Sequence, residues 1–552
     1  MLNQSAELFA DKTAFLVKEN RRGTYSPISY RRFADDVKAL GTEFINMGLL
    51  KDTKIAIVSE NRYFWGVTYM AAVNGESFVV PIDKELAAED IINLLEGSGA
   101  SAVVYSASVK SKLGNDFPKN IKYTINMDTA KNDEMTGELS FSEVLKNGAE
   151  KVQSGDTRFD DVQINPEESK ILLFTSGTTA MSKGVLLSHK NIVTNLMAMC
   201  SMVYCGEEDV FLSVLPIHHT YECTCGFLAP LYRGSAIAYC DGLRYIAKNL
   251  KEAQATIMLG VPAIFEAIHK RMASHIRKNG MSKKFRTGLF VTKSLLKLGI
   301  DERRKVFKAV ADSLGGKVRL FISGAAAISP ETMQFFEDIG IEFLQGYGIT
   351  ECSPIVALSR SKAKKPGAAG VAMPCMQVDI LTPNDEGVGE IICKGDNVMN
   401  GYYNDETETS NAIVNGWFHT GDLGYIDKDG FIYITGRKKN VIVTKNGKNI
   451  YPEELESFIN KNEYVKESLV YGKSTDDSGE LIISAVVVPN LAAIESVLGK
   501  DVTDSKIEEL MKSAVDAVNK RNPLYKYIRS VTVHKDDFKK TTTQKIKRYL
   551  EV

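Results

Sequence analysis

Residues Ile171 to Asn191 read ILLFTSGTTAMSKGVLLSHKN, and their types suit one task, the holding of an anion. Ile171 to Phe174 form an apolar run that reads as a buried strand. Thr175, Ser176, Gly177, Thr178 and Thr179 follow, then Lys183 and Gly184 and a second apolar run from Val185 to Leu187. A loop rich in Gly and hydroxyl groups turns several N–H and O–H donors toward one phosphate, and Lys183 can neutralise a phosphate oxygen. It is not a Walker loop, in which Ser or Thr follows the lysine, because Gly184 follows Lys183. Taken alone, the stretch is equally an ordinary polar hairpin turn.

Four further stretches carry chemistry. FISGAAA, Phe321 to Ala327, ends a strand in small residues, so that a flat ring can approach Gly324, Ala325 and Ala326. QGYGITECS, Gln345 to Ser353, sets Tyr347 and Gly348 before a hydroxyl, Thr350, and a carboxylate, Glu351. Tyr347 could stack on a base, Thr350 bond a phosphate oxygen, and Glu351 hold a hard cation such as Mg²⁺. WFHTGDL, Trp417 to Leu423, is expected to expose Asp422 after a glycine, where it could accept from two ribose hydroxyls. TTTQKIKR, Thr541 to Arg548, sets Lys545 among hydroxyls near the C-terminus. Each has a plain alternative: a buried Tyr, a turn Asp, a solubilising Lys.

The elements that must position these residues alternate in kind. Strand-like runs at Ala14 to Val17, Lys54 to Ser59, Phe78 to Asp83 and Ser101 to Ser106 are separated by helical patterns, such as Tyr30, Phe33, Val37, Leu40 and Phe44. That alternation predicts parallel strands joined by helices, an α/β layered body. Residues 115–163 are polar and weakly patterned and read as surface loops. Ser188 is placed to cap a helix toward Val203. Strands are predicted again at Val210 to Leu215, Ser235 to Tyr239, Ala255 to Gly260 and Lys317 to Ser323. The stretch from Lys270 to Lys308 holds thirteen Lys and Arg against Asp301 and Glu302. It reads as helix, either a solvated face or one that meets an acidic membrane surface or an anionic ligand. From Pro366 short strands punctuated by Gly, Asn and Asp predict an antiparallel, barrel-like subdomain. After Arg437 a compact α/β tail begins.

At 552 residues the chain is long enough for a large body and a smaller domain. Its apolar fraction of 44% and charged fraction of 25% are those of a water-soluble globular protein. A net charge of −1 argues against non-specific nucleic-acid binding. Eight scattered cysteines suit a reducing compartment, and no apolar run is long enough to span a bilayer, so a cytoplasmic location is expected.

In this order, the five motifs resemble the AMP-forming acyl-adenylate superfamily of acyl-CoA synthetases, firefly luciferase and peptide-synthetase adenylation domains. The resemblance implies a large N-terminal adenylation domain over residues 1–437, with layered α/β subdomains and a barrel-like β subdomain, and a small mobile C-terminal α/β lid over 438–552. It implies that Thr175, Ser176, Gly177, Thr178, Thr179 and Lys183 hold ATP phosphates, and that Gly324, Ala325, Ala326, Tyr347 and Gly348 hold the adenine. Thr350 would contact the α-phosphate, Glu351 the magnesium, and Asp422 with Arg437 the ribose. Lys439 would be the hinge and Lys545 the catalytic lysine. The family's loop usually reads TSGTTG-x-PKG, and here Ala180 and Ser182 replace its Gly and Pro; Gln544 stands where the family has Gly before the lysine. LPIHHTYE, Leu215 to Glu222, looks like the corresponding stretch of long-chain fatty acyl-CoA synthetases, which places His219 beside the acyl site. The expected substrates are ATP, a medium or long fatty acid and CoA, with Mg²⁺ and peripheral contact with an anionic membrane.

Three rivals stay open at this level. An acyl carrier protein could replace CoA as acceptor, although Glu222, where amino-acid activators have Asp, argues against an amino-acid substrate. A catalytically dead nucleotide-binding scaffold is disfavoured by Glu351, Asp422, Arg437 and Lys545. A phosphate-hydrolysing NTPase predicts ADP rather than AMP. The cluster His218, His219, Glu222, Cys223 and Cys225 lacks the second cysteine pair of a zinc site.

Overall fold

The computed structural model describes residues 1–175, 183–443, 449–475, 480–499, 501–540 and 546–551. The chain divides into two compact units, one of Met1–Gln377 and Cys393–Phe418, the other of Val378–Ile392 and His419–Val552.

The first unit carries the α/β layers that the alternation predicts. One sheet contains β1 (Lys54–Val58), β2 (Phe78–Pro81), β3 (Ala102–Tyr105), β4 (Tyr123–Asn126), β5 (Leu139–Ser140), β6 (Ser169–Thr175), β7 (Lys183–Ser188) and β8 (Gly401–Tyr402), in the spatial order β8-β7-β6-β2-β1-β3-β4-β5. From β6 through β5 the neighbours are parallel, whereas β7 and β8 are antiparallel additions at one edge. Parallel strands are covered on both faces. Accordingly Ala56, Val58, Val80 and Leu172 pack with Ile91 and Leu95 on one side. A second sheet runs Gly370–Ala372, Ile355–Leu358, Glu342–Gly348, Leu320–Ser323, Ile257–Gly260, Val210–Ser213, Ala236–Tyr239, Thr13–Val17, Ser26–Ser29. Its six middle strands, Glu342–Gly348 through Thr13–Val17, are parallel. Thr175 stands at the carboxyl end of β6, and Gly324 and Thr350 follow the carboxyl ends of Leu320–Ser323 and Glu342–Gly348, the side on which open α/β sheets bind ligands.

Helices α1 (Tyr30–Asn46) and α2 (Tyr63–Asn74) are crossovers of this unit. Residues 115–163 correct the expectation of surface loops. They contain β4, β5 and α3 (Phe141–Gln153), which buries Phe141, Val144 and Gly148. A Cβ on Gly148 would stand 1.9 Å from the Ala39 carbonyl oxygen, so α3 rests directly on the α1 backbone. Contact through a glycine needs few apolar side chains, which is why the segment looked structureless. Helix α4 (His189–Met202) starts at Ser188 in a reciprocal capping box with Asn191. The stretch Tyr221–Leu228 is a π-helix, an element with no local sequence signature that clusters at functional sites. The basic stretch is helical as expected, with α5 spanning Ser282–Lys297.

In the second unit, Trp417–Ile426 from His419 onward pairs antiparallel with Phe431–Arg437, and Asp422 stands opposite Arg437. Beyond it, Val465–Thr475, Glu480–Pro489 and Ile528–Val533 form a sheet against helices Pro452–Ile459 and Asp504–Asn519. Leu455, Ile459, Val470, Val487, Met511 and Val515 are in its core. A helix over Leu491–Leu498, not expected from the sequence, is also present.

Candidate active site

Of the phosphate-loop residues, Ser176, Gly177, Thr178 and Thr179 lie outside the described residues, as do Ala180 and Ser182. The two ends of the loop are fixed. Thr175 closes β6, Lys183 opens β7, and the two are paired across the hairpin, with the Thr175 hydroxyl donating to the Lys183 carbonyl at 3.4 Å. Lys183 Nζ binds the Glu408 carboxylate and stands 5.1 Å from the centre of the Tyr402 ring. The Tyr402 hydroxyl donates to Glu351 Oε1 at 3.1 Å. One aromatic side chain therefore links the loop's cation to the expected magnesium carboxylate.

That link is held by backbone stitching. Tyr402 pairs with Val185 of β7, the Tyr403 N–H donates to the Gly184 carbonyl at 2.7 Å, and the Met399 N–H donates to the Glu351 carbonyl at 2.8 Å. Asn191 of α4 donates to the carbonyls of Asp396 and Val398, both at 2.8 Å, and Asn195 donates to Ile355 at 2.8 Å. Buried backbone carbonyls need donors, and two asparagines one helical turn apart supply them. Tyr402, Glu408, Asn191 and Asn195 escaped the sequence reading. The repeated aromatic in NGYYN, residues 400–404, was a weak available hint.

Gly324 follows strand Leu320–Ser323, and a Cβ there would lie 2.9 Å from the Tyr221 ring. Tyr221, on the π-helix, donates its hydroxyl to the Ile322 carbonyl at 3.0 Å. Ala325 has φ 71°, the left-handed region that costs an alanine about 1–2 kcal/mol. Ala325, Ala326 and Ala327 are exposed beyond this turn, forming the shelf of small residues that a flat ring needs. Tyr347 and Gly348 end the adjacent strand Glu342–Gly348, and Thr350 and Glu351 follow in a 3₁₀ turn, half-buried. Shelf, tyrosine, hydroxyl and carboxylate thus belong to neighbouring strand ends of one sheet.

His219 sits at the approach to the π-helix, its carbonyl accepting from the Cys223 N–H at 2.9 Å. The His218 and His219 rings are 4.2 Å apart. Among the described residues His218 Nε2 has no hydrogen-bond partner, and it lies 3.7 Å from the Asp83 carboxylate. Burial, helped by Lys84, lowers the His218 pKa to about 3, so its ring is neutral. Glu222 is 1% exposed, and among the described residues neither carboxyl oxygen makes a hydrogen bond of good geometry, Ser213 and the Leu215 backbone only partly offsetting its burial. Burial pushes its pKa up to about 8, which makes it a neutral acid at pH 7. Among the described residues no group of three His, Cys, Asp or Glu is arranged around a common point for a metal ion.

In the second unit Asp422 corrects the expectation of an exposed turn residue, being 4% exposed. Its Oδ1 is 2.6 Å from Arg437 Nε, and its N–H donates to the Thr420 hydroxyl at 3.0 Å. Cross-strand pairing with an arginine carries the carboxylate inward. Lys439 lies in the 3₁₀ turn Lys438–Asn440, and lost hydration, then the Arg437 and Arg548 charges, lowers its pKa. Lys545 and Gln544 lie outside the described residues. Their flanks are anchored, since Lys540 and Ile546 form a β-bridge and Arg548 grips Glu456 with Nη2 2.6 Å from each carboxylate oxygen.

The profile of the AMP-binding enzyme family matches residues 2–403, and that of the AMP-binding enzyme C-terminal domain matches residues 439–550. The chain is 28% identical to fatty acyl-CoA synthetase B of Dictyostelium discoideum over 89% of this chain and 76% of that one. It is 29% identical to long-chain-fatty-acid–CoA ligase 5 of Rattus norvegicus over 93% and 80%. The fold matches that of O-succinylbenzoate coenzyme A synthetase from Bacillus subtilis, solved with ATP and magnesium, at a TM-score of 0.74 and 20% identity, over 99% and 98% of the two chains. The paired strand ends Thr175 and Lys183, the small-residue shelf and the Tyr/Thr/Glu turn have their explanation in this kinship: the chain belongs to the AMP-binding enzyme family and is an AMP-forming acid–thiol ligase.

Proposed function

We propose that the enzyme activates a fatty acid with ATP to acyl-AMP and pyrophosphate, then transfers the acyl group to CoA with release of AMP. The observation that carries this reading is the Lys183–Tyr402–Glu351 connection beside the Gly324–Ala326 shelf, and the names of the relatives support the fatty-acid substrate. In the first step the carboxylate attacks the α-phosphorus, and charge builds on the α-phosphoryl oxygens and the departing pyrophosphate. Donors and cations fixed in advance meet that need. Thr175 to Thr179 and Lys183 bind the phosphates, with Lys183 exchanging Glu408 for a phosphate oxygen. Thr350 bonds the α-phosphate. Gly324 to Ala326, Tyr347 and Gly348 seat the adenine, and Asp422 with Arg437 binds the ribose. Glu351 would hold Mg²⁺, whose charge offsets that of the phosphate oxygens; a single carboxylate with one oxygen already hydrogen-bonded fits a cation that takes most of its ligands from phosphate and water. His219 lines the acyl entrance.

Lys545 bridges the carboxylate and the α-phosphate in the first step only. Lys439 is the hinge about which the C-terminal domain, from residue 438 onward, turns before the CoA thiol attacks. Helix α5 contacts an anionic membrane. Phe290 and Leu298, each 75% exposed, stand among exposed Lys283, Lys284, Arg286 and Lys297, an apolar and cationic surface that complements acidic headgroups. Among the described residues no helix is long and apolar enough to cross a membrane.

The reading is tested with ATP, Mg²⁺, CoA and a fatty acid. The expected products are acyl-CoA, AMP and pyrophosphate, with a hydroxamate trapped by hydroxylamine when CoA is omitted. ADP and phosphate without hydroxamate would refute adenylation. Hydroxamate formation with transfer only to acyl carrier protein would keep adenylation and replace CoA as acceptor.

A further inference from the structure

Between the first sheet and the π-helix of the first unit lies a narrow apolar slot of about 10 Å³, lined by Tyr69, Ile171, Leu173, Ile192, Cys223 and Thr224 among others. That is barely room for one water molecule. Its upper end adjoins the reaction site, because His218 lines the slot beside His219, and because Ile171 and Leu173 alternate with Thr175 on one face of β6. Leu172 and Phe174, on the opposite face, pack elsewhere. We infer that Tyr69 is the floor of the acyl pocket and limits the enzyme to carboxylates of about ten carbons or fewer. This rests on the fatty-acid reading proposed above and narrows it.

Two rulers give the depth. From Thr175 to Ile171 is four residues of extended strand, roughly 13 Å at ~3.3 Å per residue. Helix α2 follows β1 and precedes the parallel β2, so it runs back down the sheet. Tyr69 is six residues past its first residue Tyr63, roughly 9 Å at ~1.5 Å per residue. A zigzag of ~1.5 Å carbon–carbon bonds advances about 1.3 Å per carbon, so 9–13 Å accommodates roughly seven to ten carbons.

The floor is stiffer than the walls. Tyr69 is 2% exposed, stacked on Trp65 at 5.2 Å between ring centres and edge-on to Phe227 at 6.0 Å, and its hydroxyl meets the Cys223 thiol. Held on three sides, the ring has no free rotamer to adopt. Ile171, Leu173 and Ile192 are slender aliphatic chains that can repack around a polymethylene chain. An entering chain therefore widens the slot without lengthening it. Each methylene that fits gains up to about fourfold in kcat/KM, and each one beyond the floor loses that gain and forces the packing.

A ladder of saturated acids from four to eighteen carbons, read by pyrophosphate release and hydroxamate formation, tests the limit. Wild type is expected to peak at ten carbons or fewer and to fall at least tenfold by sixteen. Tyr69→Leu moves the peak up by two or more carbons, whereas Tyr69→Phe, which keeps the ring, keeps the limit. Thr224→Leu, which fills the slot from the π-helix side, moves the peak down and does not depend on removing a core aromatic. A wild-type peak at sixteen carbons or more, or a peak unmoved in both folded leucine variants, overturns Tyr69 as the floor while leaving fatty-acid activation in place. Turnover of no acid in the ladder by folded wild-type enzyme overturns the fatty-acid reading itself.

Discussion

At the carboxyl edge of the first sheet, charged and polar side chains stand half exposed and partnered: Lys183 with Glu408, and Tyr402 with Glu351. In the interior beside the π-helix, His218 and Glu222 are neutral at pH 7, and His218 Nε2, both Glu222 oxygens, Tyr239 Oη and Trp65 Nε1 lack hydrogen-bond partners among the described residues. His218 belongs to the interior although Asp83 is 3.7 Å away. Hydration, more than the residue's type, decides which groups carry charge, since desolvation can outweigh a nearby opposite charge. The edge is suited to a polyphosphate, and the interior to a chain that carries no charge.

The comparison is broken most forcefully at Lys545. If a cation brought to the phosphate edge supplies the missing charge, Lys545→Ala slows acyl-AMP formation by about a hundredfold or more, corresponding to ~3–4 kcal/mol for one preorganised donor. Acyl-AMP supplied chemically would still be converted to acyl-CoA at close to the normal rate. Equal loss in both half-reactions, measured by stopped-time hydroxamate and thioester assays, would make the lysine structural.

Within the edge itself, Lys183→Ala is expected to raise KM for ATP about tenfold, by removing a charge-assisted contact to phosphate. Glu408→Gln should lower that KM severalfold, because it frees Lys183 from its carboxylate. A Glu408→Gln enzyme that binds ATP no better would mean that the pair persists with nucleotide bound.

The interior is probed by pH. Glu222 ionises near pH 4.5 when unfolded and near 8 when folded. Below pH 4.5 both states hold the proton and nothing is lost. Between 4.5 and 8 the unfolded chain releases it first, so wild-type stability declines as pH rises, and the loss levels off above 8. Glu222→Gln removes this dependence and should gain on wild type by several kcal/mol between pH 5 and pH 9, since each unit by which the folded carboxyl's pKa is raised costs about 1.4 kcal/mol once the group must ionise. Parallel melting temperatures from pH 5 to 9 would show that Glu222 is solvated after all.

How much of this was legible in the sequence follows from range. The five motifs could be read because each is local, a few consecutive residues whose chemistry is spelled out in order. The Lys183–Tyr402–Glu351 link could not, since it joins residues that meet only in the folded sheet. Helix α3 was hidden because Gly148, rather than an apolar stripe, makes its closest contact. The burial of Asp422 depends on Arg437 lying across the ladder, and the floor at Tyr69 depends on the face that a continuously apolar helix turns toward β6. Lys545 and most of the phosphate loop are assigned by family resemblance alone.

The smallest expected effect belongs to a third surface, α5. Changing Lys283, Lys284 and Lys297 to Gln should weaken sedimentation with anionic vesicles severalfold in low salt and leave neutral vesicles unaffected, because exposed charges act through a screened field. Equal sedimentation of wild type with both vesicle types would reduce the helix to a solvated face.

The pairing of β8 with β7 sets a schedule for synthesis. Val185 and Leu186 acquire their outer neighbours only when Gly401 and Tyr402 have been made. At roughly 5–20 residues per second the edge of β7 stays uncovered on the ribosome for on the order of ten seconds or more. An uncovered apolar edge is a template for pairing with another chain. Truncated products that end before Asn397 should therefore aggregate through β7, and expression of the intact enzyme should benefit from slower initiation, which spaces nascent chains apart.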